Sequence, residues 1–391
     1  MILHAAPWVV PIARPPIRDG VVALDGDRVV AVGRRDELRA LGPIVEHGGV
    51  LAPGLINAHL HLELSHLAGR VAGGDGLAPW IRRLLMIRRA GAGEVERAAR
   101  EAAHAMAARG TVACADVTND GSTGPLLRAA GVDALVLEER LLDDGRAPAR
   151  AGAIATAHST YTCSAAAIGA IAARSNGRIR SIHVEEDPGE AQLLVEGRGP
   201  LAELLADRGA ARAPVGCRPI DWLESLGVLG RGTLLVHLTV ADDASLALAA
   251  RRGAIAVACP RSNLHIGARL PPVERMRAAG LPIALGTDSL ASSPSLDVLG
   301  EVQALAHAGV DAAFALACAT SGGARALERP ELGALRPGAR PGLVELGDDA
   351  RALADPIAWI AHEAADAPAR RIAPAPRPPE PARPALSTEA P

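Results

Sequence analysis

The strongest constraint in the sequence is an apolar run, residues 53–63, that ends in two histidines separated by one residue. The run predicts a buried strand, and successive side chains of a strand point to opposite faces, so His59 and His61 share one face. Two neutral imidazoles on one face are suited to hold one metal ion. The alternative at this point is a pair of core histidines whose ring nitrogens bond backbone carbonyls.

Between residues 52 and 328, short apolar runs alternate with Ala-, Leu- and Arg-rich segments of helical composition. The strand candidates are 51–57, 111–116, 133–138, 154–158, 179–184, 233–238, 254–259 and 282–286. Eight strands that mostly alternate with helices predict an α/β fold, a (β/α)8 barrel of the TIM type. Aromatic residues make up only 2% of the chain, so aliphatic side chains must fill the core.

The segments on either side of the barrel predict a smaller unit. Residues 1–51 alternate short apolar runs with turn signals such as Asp25-Gly26-Asp27, which is typical of β-hairpins. Residues 329–365 return to the same pattern, so we expect the two segments to form one small β-sandwich domain beside the barrel of residues 52–328. Residues 366–391 are rich in Pro and Ala and are predicted to be disordered.

The overall composition excludes several classes of partner. A net charge of −3 provides no basic surface for nucleic acid. No apolar run approaches the roughly 18 residues of a membrane span, and no signal peptide is evident. Five scattered cysteines without a CxxC pair indicate reduced thiols in a cytoplasmic protein. The expected partner is therefore a small molecule.

Barrel enzymes carry their chemistry at the carboxyl ends of the strands, and further candidate residues lie there. His183 and Glu186 follow the fifth run, His237 closes the sixth, and Asp288 follows the eighth. Together with the two histidines of the first run, they belong to four strand ends that meet at one barrel mouth. Any one of these residues alone is unremarkable, but the combination indicates a metal-dependent catalytic site.

Five segments in order along the chain carry a resemblance to the amidohydrolase superfamily, in particular to its aminohydrolase and chlorohydrolase branch. They are residues 53–63, His-Val-Glu-Glu (183–186), Val-His-Leu (236–238), Cys-Pro-Arg-Ser-Asn-Leu (259–264) and Leu-Gly-Thr-Asp-Ser-Leu-Ala-Ser (285–292). The resemblance implies one divalent metal, with Zn²⁺ expected first and Fe²⁺ or Ni²⁺ as alternatives. The implied ligands are His59, His61, His183 and Asp288.

The resemblance also implies three catalytic roles. Glu186 would carry protons to a ring nitrogen of the substrate and to the departing amine, which a carboxyl does best when its pocket raises its pKa. His237 would hydrogen-bond the attacking water, and Asp288 would accept the proton of that water. Three imidazoles and one carboxylate leave room for a water on the metal, which would lower the pKa of the water to near neutrality.

Three side chains indicate a flat heteroaromatic substrate. The stretch from His158 through Tyr161 is similar to a segment of adenosine-type deaminases in this branch, in which the histidine contacts the base. Trp80 lies where relatives place a lid aromatic, and ordinary loop packing is the alternative for Trp80 and Tyr161. Relatives that bind ribose often have an acidic residue two positions before this Trp, where this chain has Ala78.

Within the branch, residues 61–67, the Trp80 segment and residues 259–263 are most similar to aminodeoxyfutalosine deaminases of menaquinone biosynthesis. The resemblance therefore implies a metal-dependent deaminase that removes the exocyclic amine of an adenine-type nucleoside. A chlorohydrolase or a cyclic amide hydrolase with the same site is the alternative. A third hypothesis, a non-catalytic assembly module, conflicts with the complete ligand set. The exact substrate, the metal and a homo-oligomeric state are left open.

Overall fold

The computed structural model describes residues 1–142, 149, 153–175 and 177–372. Its strands are β1 (Ile2–Val9), β2 (Ile17–Asp25), β3 (Arg28–Arg34), β4 (Ile44–Glu46), β5 (Val50–Pro53), β6 (Leu55–Leu60), β7 (Thr111–Thr118), β8 (Asp133–Arg140), β9 (Ile154–Ala157), β10 (Arg180–Val184), β11 (Thr233–His237), β12 (Ile255–Ala258), β13 (Ile283–Leu285), β14 (Leu343–Leu346) and β15 (Ala369–Arg371).

The α-helices of the described residues are α1 (Arg35–Leu38), α2 (Leu77–Ile87), α3 (Ala92–Ala108), α4 (Gly124–Ala129), α5 (Ala165–Ser175), α6 (Pro188–Ala191), α7 (Pro200–Asp207), α8 (Pro219–Ser225), α9 (Asp243–Arg252), α10 (Pro260–Ile266), α11 (Val273–Ala278), α12 (Val298–His307), α13 (Ala312–Ala317), α14 (Gly323–Ala326) and α15 (Pro356–His362). Not one of them combines the length and the apolar character needed to cross a membrane. All five cysteines lie in the described ranges and are free thiols.

Strands β6 to β13 form two four-stranded parallel sheets, in the orders β6-β7-β8-β9 and β10-β11-β12-β13. Parallel bridges join the sheets at both seams, from Ser159 to His183 and from Leu60 to Asp288. Strands β6, β7, β11, β12 and β13 are buried along their whole length, as expected for parallel strands that are covered by helices. The predicted fold of the TIM-barrel type, with mixed α and β content, is confirmed.

The first predicted strand, 51–57, has the wrong bounds, because the chain changes sheets at Gly54. Strand β5 ends at Pro53 and pairs with β1 and β14, whereas β6 begins at Leu55 and pairs with β7. A Cβ atom at Gly54 would lie 2.3 Å from Val112 Cγ1, so a glycine is needed where the two layers approach. The other seven predicted barrel strands agree with the structure to within two residues at each end.

The seam between the first and last barrel strands is held by a dense set of hydrogen bonds. The backbone N–H groups of Thr287 and Asp288 both donate to the carbonyl oxygen of His59, at 3.0 and 3.1 Å. The Asn57 side chain donates to Thr287 Oγ1 at 2.7 Å and accepts from Thr287 N at 3.1 Å. A Cβ atom at Gly286 would lie 2.7 Å from His59 Cβ, so this glycine permits the close approach. The seam therefore brings Asp288 next to the His-x-His pair.

The remaining strands form one seven-stranded sheet, in the order β15-β14-β5-β1-β2-β3 with β4 paired to β1. Both chain ends contribute to it, and the predicted hairpin is present as β2 and β3. The folding of this sheet into a sandwich, and the boundaries of the two predicted domains, stay predictions. The tail predicted to begin at residue 366 starts too early, because Ala369–Arg371 pairs with β14. Residues 373–391 of that segment lie outside the described residues.

The carboxylate of Glu345 on β14 joins the two ends of the chain within this sheet. Its Oε1 accepts hydrogen bonds from the backbone N–H groups of Gly48 and Gly49, both at 3.0 Å. Its Oε2 accepts from Arg370 Nη2 at 2.6 Å and lies 3.1 Å from His47 Nδ1. Burial by itself raises the pKa of Glu345, but these hydrogen bonds outweigh it and hold the pKa at about 2.

We predict that Glu345→Gln lowers the free energy of unfolding at pH 7 by about 2 kcal/mol, because a charged acceptor for several donors is lost. Since the folded-state pKa is depressed, the stabilisation by Glu345 is fully present above pH 4.5 and is lost as the pH falls towards about 2. Urea unfolding of both proteins across this range should show the difference shrinking with acid.

Glu46→Gln is the control for this prediction. Glu46 lies on β4 of the same sheet and forms an ion pair with Arg35 of α1, but its side chain is exposed. Its removal should cost only a few tenths of a kcal/mol. An equal loss of stability in both variants would contradict the role given to Glu345.

Candidate metal centre and active site

Four side chains from three barrel strands and their ends converge on one point. His59 lies near the end of β6 and His61 directly after it, while His183 lies on β10 and Asp288 follows β13. Nε2 of His183 lies 3.2 Å from Nε2 of His59 and 3.3 Å from Nε2 of His61. Asp288 Oδ1 lies 3.8 and 3.6 Å from the same two nitrogens. The structure thus brings together all four predicted metal ligands.

The spacing of these ligand atoms fits a metal ion. Tetrahedral coordination at a zinc–nitrogen distance of about 2.0–2.1 Å places ligand nitrogens about 3.3 Å apart. Two of the predicted ligands are also held by hydrogen bonds on the side that faces away from the cluster. His183 Nδ1 lies 2.7 Å from the carbonyl oxygen of His158. Asp288 Oδ2 accepts from Ser262 Oγ at 2.6 Å and from Ser292 Oγ at 2.9 Å. Such supporting hydrogen bonds are typical of metal ligands, since they fix the tautomer and the direction of the donor atom.

The backbone is strained at the strand ends that carry the site. Glu185, His237 and Asp288 have φ angles of 51°, 81° and 58°, in the left-handed region that non-glycine residues avoid. Each such residue costs on the order of 1–3 kcal/mol, and strain of this kind concentrates at functional sites. Here the strained residues lie directly after the end of β10, at Glu185, and at His237 and Asp288, where the predicted site residues lie.

Glu186 and His237 form a buried pair beside the four predicted metal ligands, which we call the ligand cluster (His59, His61, His183 and Asp288). Glu186 Oε1 lies 3.5 Å from His237 Nε2, and His237 Nδ1 lies 3.0 Å from the side-chain amide of Asn263. Burial, together with the carboxylates of Asp288 and Glu190, raises the pKa of Glu186 well above its usual range. Burial and the neighbouring His183 lower the pKa of His237 to about 3. Burial therefore favours the uncharged form of both groups, the protonated carboxyl of Glu186 and the neutral imidazole of His237.

A cavity of about 370 Å³ opens at this end of the barrel. Of the nine predicted site residues, all but His59 line it: His61, Trp80, His158, Tyr161, His183, Glu186, His237 and Asp288. His59 is fully buried behind the others. Helices α2 and α7 contribute an apolar wall that includes Leu77, Ile81 and Leu204. A site with one apolar wall and a few convergent polar groups is typical of small-molecule binding.

The three residues predicted to contact the substrate, Trp80, His158 and Tyr161, all line the cavity. Trp80 is on α2, and its indole Nε1 is buried with no hydrogen-bond partner in the described part of the chain. His158 follows β9, and its Nδ1 lies 2.7 Å from Thr162 Oγ1. The Tyr161 ring meets the His158 ring edge to face, with centroids 5.7 Å apart. Their contact with a substrate stays a prediction, which the unpaired Trp80 donor supports.

Sequence reasoning missed a polar part of the wall that is formed by Glu63, Arg88, Asn119 and Glu139. Asn119 directly follows β7, and Glu139 is the second-last residue of β8. Each of these strands runs two residues beyond its predicted end. The available signal was their position at the carboxyl ends of strands, which the early predicted ends at 116 and 138 concealed. Glu63 is the last residue of the run 53–63, and no role was predicted for it.

Comparison with known proteins identifies the family. The family model described as "Amidohydrolase family" matches residues 50–360, which include the barrel strands and all four predicted metal ligands. This chain belongs to the amidohydrolase family. Membership confirms the predicted superfamily and the predicted class of enzyme, a hydrolase that acts on carbon–nitrogen bonds other than peptide bonds.

Two curated relatives and one solved structure show how this amidohydrolase compares. The 5-methylthioadenosine/S-adenosylhomocysteine deaminase of Nitratidesulfovibrio vulgaris is 27% identical over 85% of this chain and 80% of its own length. The aminodeoxyfutalosine deaminase of Deinococcus radiodurans is 30% identical over 78% of this chain and 81% of its own. The crystal structure of Helicobacter pylori aminofutalosine deaminase with methylthio-coformycin matches with a TM-score of 0.82 at 20% identity, covering 94% of this chain and 97% of that one.

We predict that His61→Ala abolishes tight metal binding, because it removes one of three imidazole ligands. Elemental analysis of purified protein should show the content of divalent metal falling from about one per chain to near zero. The control is His265→Ala, since His265 Nε2 bonds the carbonyl oxygen of Val71 outside the cluster. Full metal content in a folded His61→Ala protein would contradict the assigned ligand set.

Proposed function

We propose that this amidohydrolase is a metal-dependent deaminase that removes the exocyclic amine of an adenine-type nucleoside. The observation that carries the proposal is Glu186, a buried carboxyl with a raised pKa that lies 3.5 Å from His237 Nε2 at the edge of the ligand cluster. Loss of an amine requires a proton donor, and a buried carboxyl whose pKa is raised is suited to supply one. A chloride leaving group has no such requirement, so the same observation argues against a chlorohydrolase.

The donor set of three imidazoles and one carboxylate supports a divalent metal, with zinc as the first expectation. His59, His61, His183 and Asp288 would hold it. Its contribution when bound would be to lower the pKa of a water to near neutrality and so provide the nucleophile. The hydrogen bonds from Ser262 and Ser292 to Asp288 Oδ2 leave Oδ1 directed towards the histidines.

The protein side chains then carry the protons of the reaction. Glu186 donates a proton to the ring nitrogen beside the reacting carbon as the oxygen of the water bonds to that carbon. Asp288 accepts the proton that the water loses, and His237, held by Asn263, hydrogen-bonds the incoming oxygen. Glu186, now a carboxylate, takes the second proton of the water and passes it to the amine, which leaves as ammonia when the carbon–nitrogen bond breaks, and the ring retains a carbonyl oxygen. The proton held by Asp288 then returns to Glu186, which restores both side chains for the next cycle.

The cavity supports a nucleoside as the substrate. Its apolar wall, with Trp80 on α2, offers a flat surface for a heteroaromatic ring, and His158, whose ring centroid lies 5.0 Å from that of His183, lines the same cavity with Tyr161. The two curated relatives are named for adenosine derivatives and for aminodeoxyfutalosine. We therefore place an adenine-type ring over Glu186 and its substituent towards the cavity mouth. An aminodeoxyfutalosine-like substrate, and with it a role in menaquinone biosynthesis, is the specific form of this proposal.

The test is ammonia release from a panel of adenine nucleosides and other aminated heterocycles, with protein of known metal content. We expect turnover of at least one adenine nucleoside by the wild-type protein. For Glu186→Gln we expect kcat to fall by about 10²- to 10⁴-fold, because a glutamine amide cannot transfer a proton to the substrate and take one back. The variant should retain its metal, since Glu186 is not one of the four ligands.

Glu185→Gln is the matched control, because Glu185 is equally buried but bonds Arg218 instead of facing His237. It should retain most of the activity. Metal-loaded protein that releases no ammonia from any member of the panel would overturn the proposed deaminase.

A further inference from the structure

The Glu139 carboxylate at the end of β8 lines the cavity but takes no part in the chemistry described above. Its side chain is only 5% exposed. Oε2 accepts a hydrogen bond from Asn119 Nδ2 at 3.0 Å, whereas Oε1 is buried without any partner among the described residues. A buried carboxylate oxygen that lacks a donor is costly, so it calls for an explanation.

Orientation of a metal ligand does not explain Glu139. Its Oε1 lies 3.9 Å from His183 Nδ1, which is too far for a hydrogen bond. That nitrogen is already 2.7 Å from the carbonyl oxygen of His158, which takes the orienting role. Glu139 is therefore next to a metal ligand without supporting it.

A second metal ion does not explain it either, although Glu139, His158 and His183 lie close together. Both ring nitrogens of His183 are engaged, Nε2 in the ligand cluster and Nδ1 at the His158 carbonyl oxygen. His158 Nδ1 is engaged with Thr162 Oγ1. Only one nitrogen of His158 and the carboxylate of Glu139 are left, fewer than the three protein ligands typical of a catalytic site.

The free oxygen is held in a fixed position. Asn119 donates to Glu139 through Nδ2 and accepts from Arg88 Nη2 through Oδ1 at 3.2 Å, so its amide is oriented by both contacts. The backbone N–H of Asn119 donates to Glu63 Oε2 at 2.9 Å. A preorganised acceptor of this kind loses little entropy when a ligand donates to it.

The position of Glu139 argues against the reacting amine as the missing donor. Glu139 Oε1 lies 3.9 Å from Nδ1 of His183, whereas the ligand cluster gathers around Nε2, with Glu186 and His237 beside it. A donor on a part of the substrate away from the reacting carbon fits this position better. Helix α2 offers no acidic group as an alternative, since Ala78 is buried and does not line the cavity.

We propose that Glu139 Oε1 accepts a hydrogen bond from a hydroxyl group on the sugar of the substrate and thereby selects a nucleoside over the free base. The inference rests on the proposed deaminase function and deepens it. Glu139 would supply the acidic group that relatives place two positions before the lid Trp. It acts on substrate binding and leaves proton transfer by Glu186 unchanged.

The test compares kcat/KM of the wild-type enzyme with that of Glu139→Ala and Glu139→Gln. The substrates are adenosine, its 2′-deoxy and 3′-deoxy analogues, and adenine. We expect Glu139→Ala to lose roughly 10- to 100-fold on adenosine, mainly through KM, since a hydrogen bond to a charged group is removed. Adenine, and the analogue that lacks the contacted hydroxyl, should show no further loss. Glu139→Gln should show the same pattern with a smaller loss, which keeps the test valid if the alanine variant folds poorly.

The matched control is Glu138→Gln, which changes a buried neighbour on β8 that pairs with Arg140. It should leave the ratio between the substrates unchanged. An equal loss on all substrates in the Glu139 variants, or two metal ions per wild-type chain, would overturn the inference alone. No ammonia from adenosine, its analogues or adenine with the metal-loaded wild-type enzyme would overturn the proposed function and the inference with it.

Discussion

The candidate active site depends on the closure of the barrel between its first and last strands. The carbonyl oxygen of His59 accepts two backbone N–H groups, from Thr287 and Asp288, and Asn57 reinforces the contact. These hydrogen bonds fix the height of Asp288 relative to His59 and His61, residues that are more than 220 positions away in sequence. If the seam slipped by one residue, Asp288 would point to the other face and the ligand cluster would lose its only carboxylate.

Burial has opposite effects on the two groups next to that cluster, and both effects favour the uncharged form. It raises the pKa of the Glu186 carboxyl and lowers that of the His237 imidazole. One buried environment thus favours the uncharged form of both the carboxyl and the imidazole. The same low polarity would strengthen the interaction of nearby polar groups with any charge that develops on a substrate.

The sequence allowed the ligand set and the barrel to be predicted because both depend on local patterns. Strand ends with histidines, such as His59 and His183, are visible in a single sequence once the apolar runs are counted. Glu139 was not predicted, because its role depends on which carboxylate oxygen lacks a donor, and that follows from tertiary contacts with Asn119 and Arg88. The short strand Ala369–Arg371 was missed for a related reason: its pairing partner, β14, and the contact with Glu345 give it order that its Pro-rich surroundings do not suggest.

The seven-stranded sheet is built from both ends of the chain, which has a consequence for biosynthesis. Strand β5 pairs with β14, joining Val50 to Leu346 across nearly the whole barrel sequence. On the ribosome, strands β1 to β5 therefore emerge long before β14 is made, and one edge of β5 stays unpaired until the whole barrel sequence and β14 have been translated. Since exposed strand edges are prone to pair with other chains, the nascent protein carries an aggregation risk that persists until β14 is available.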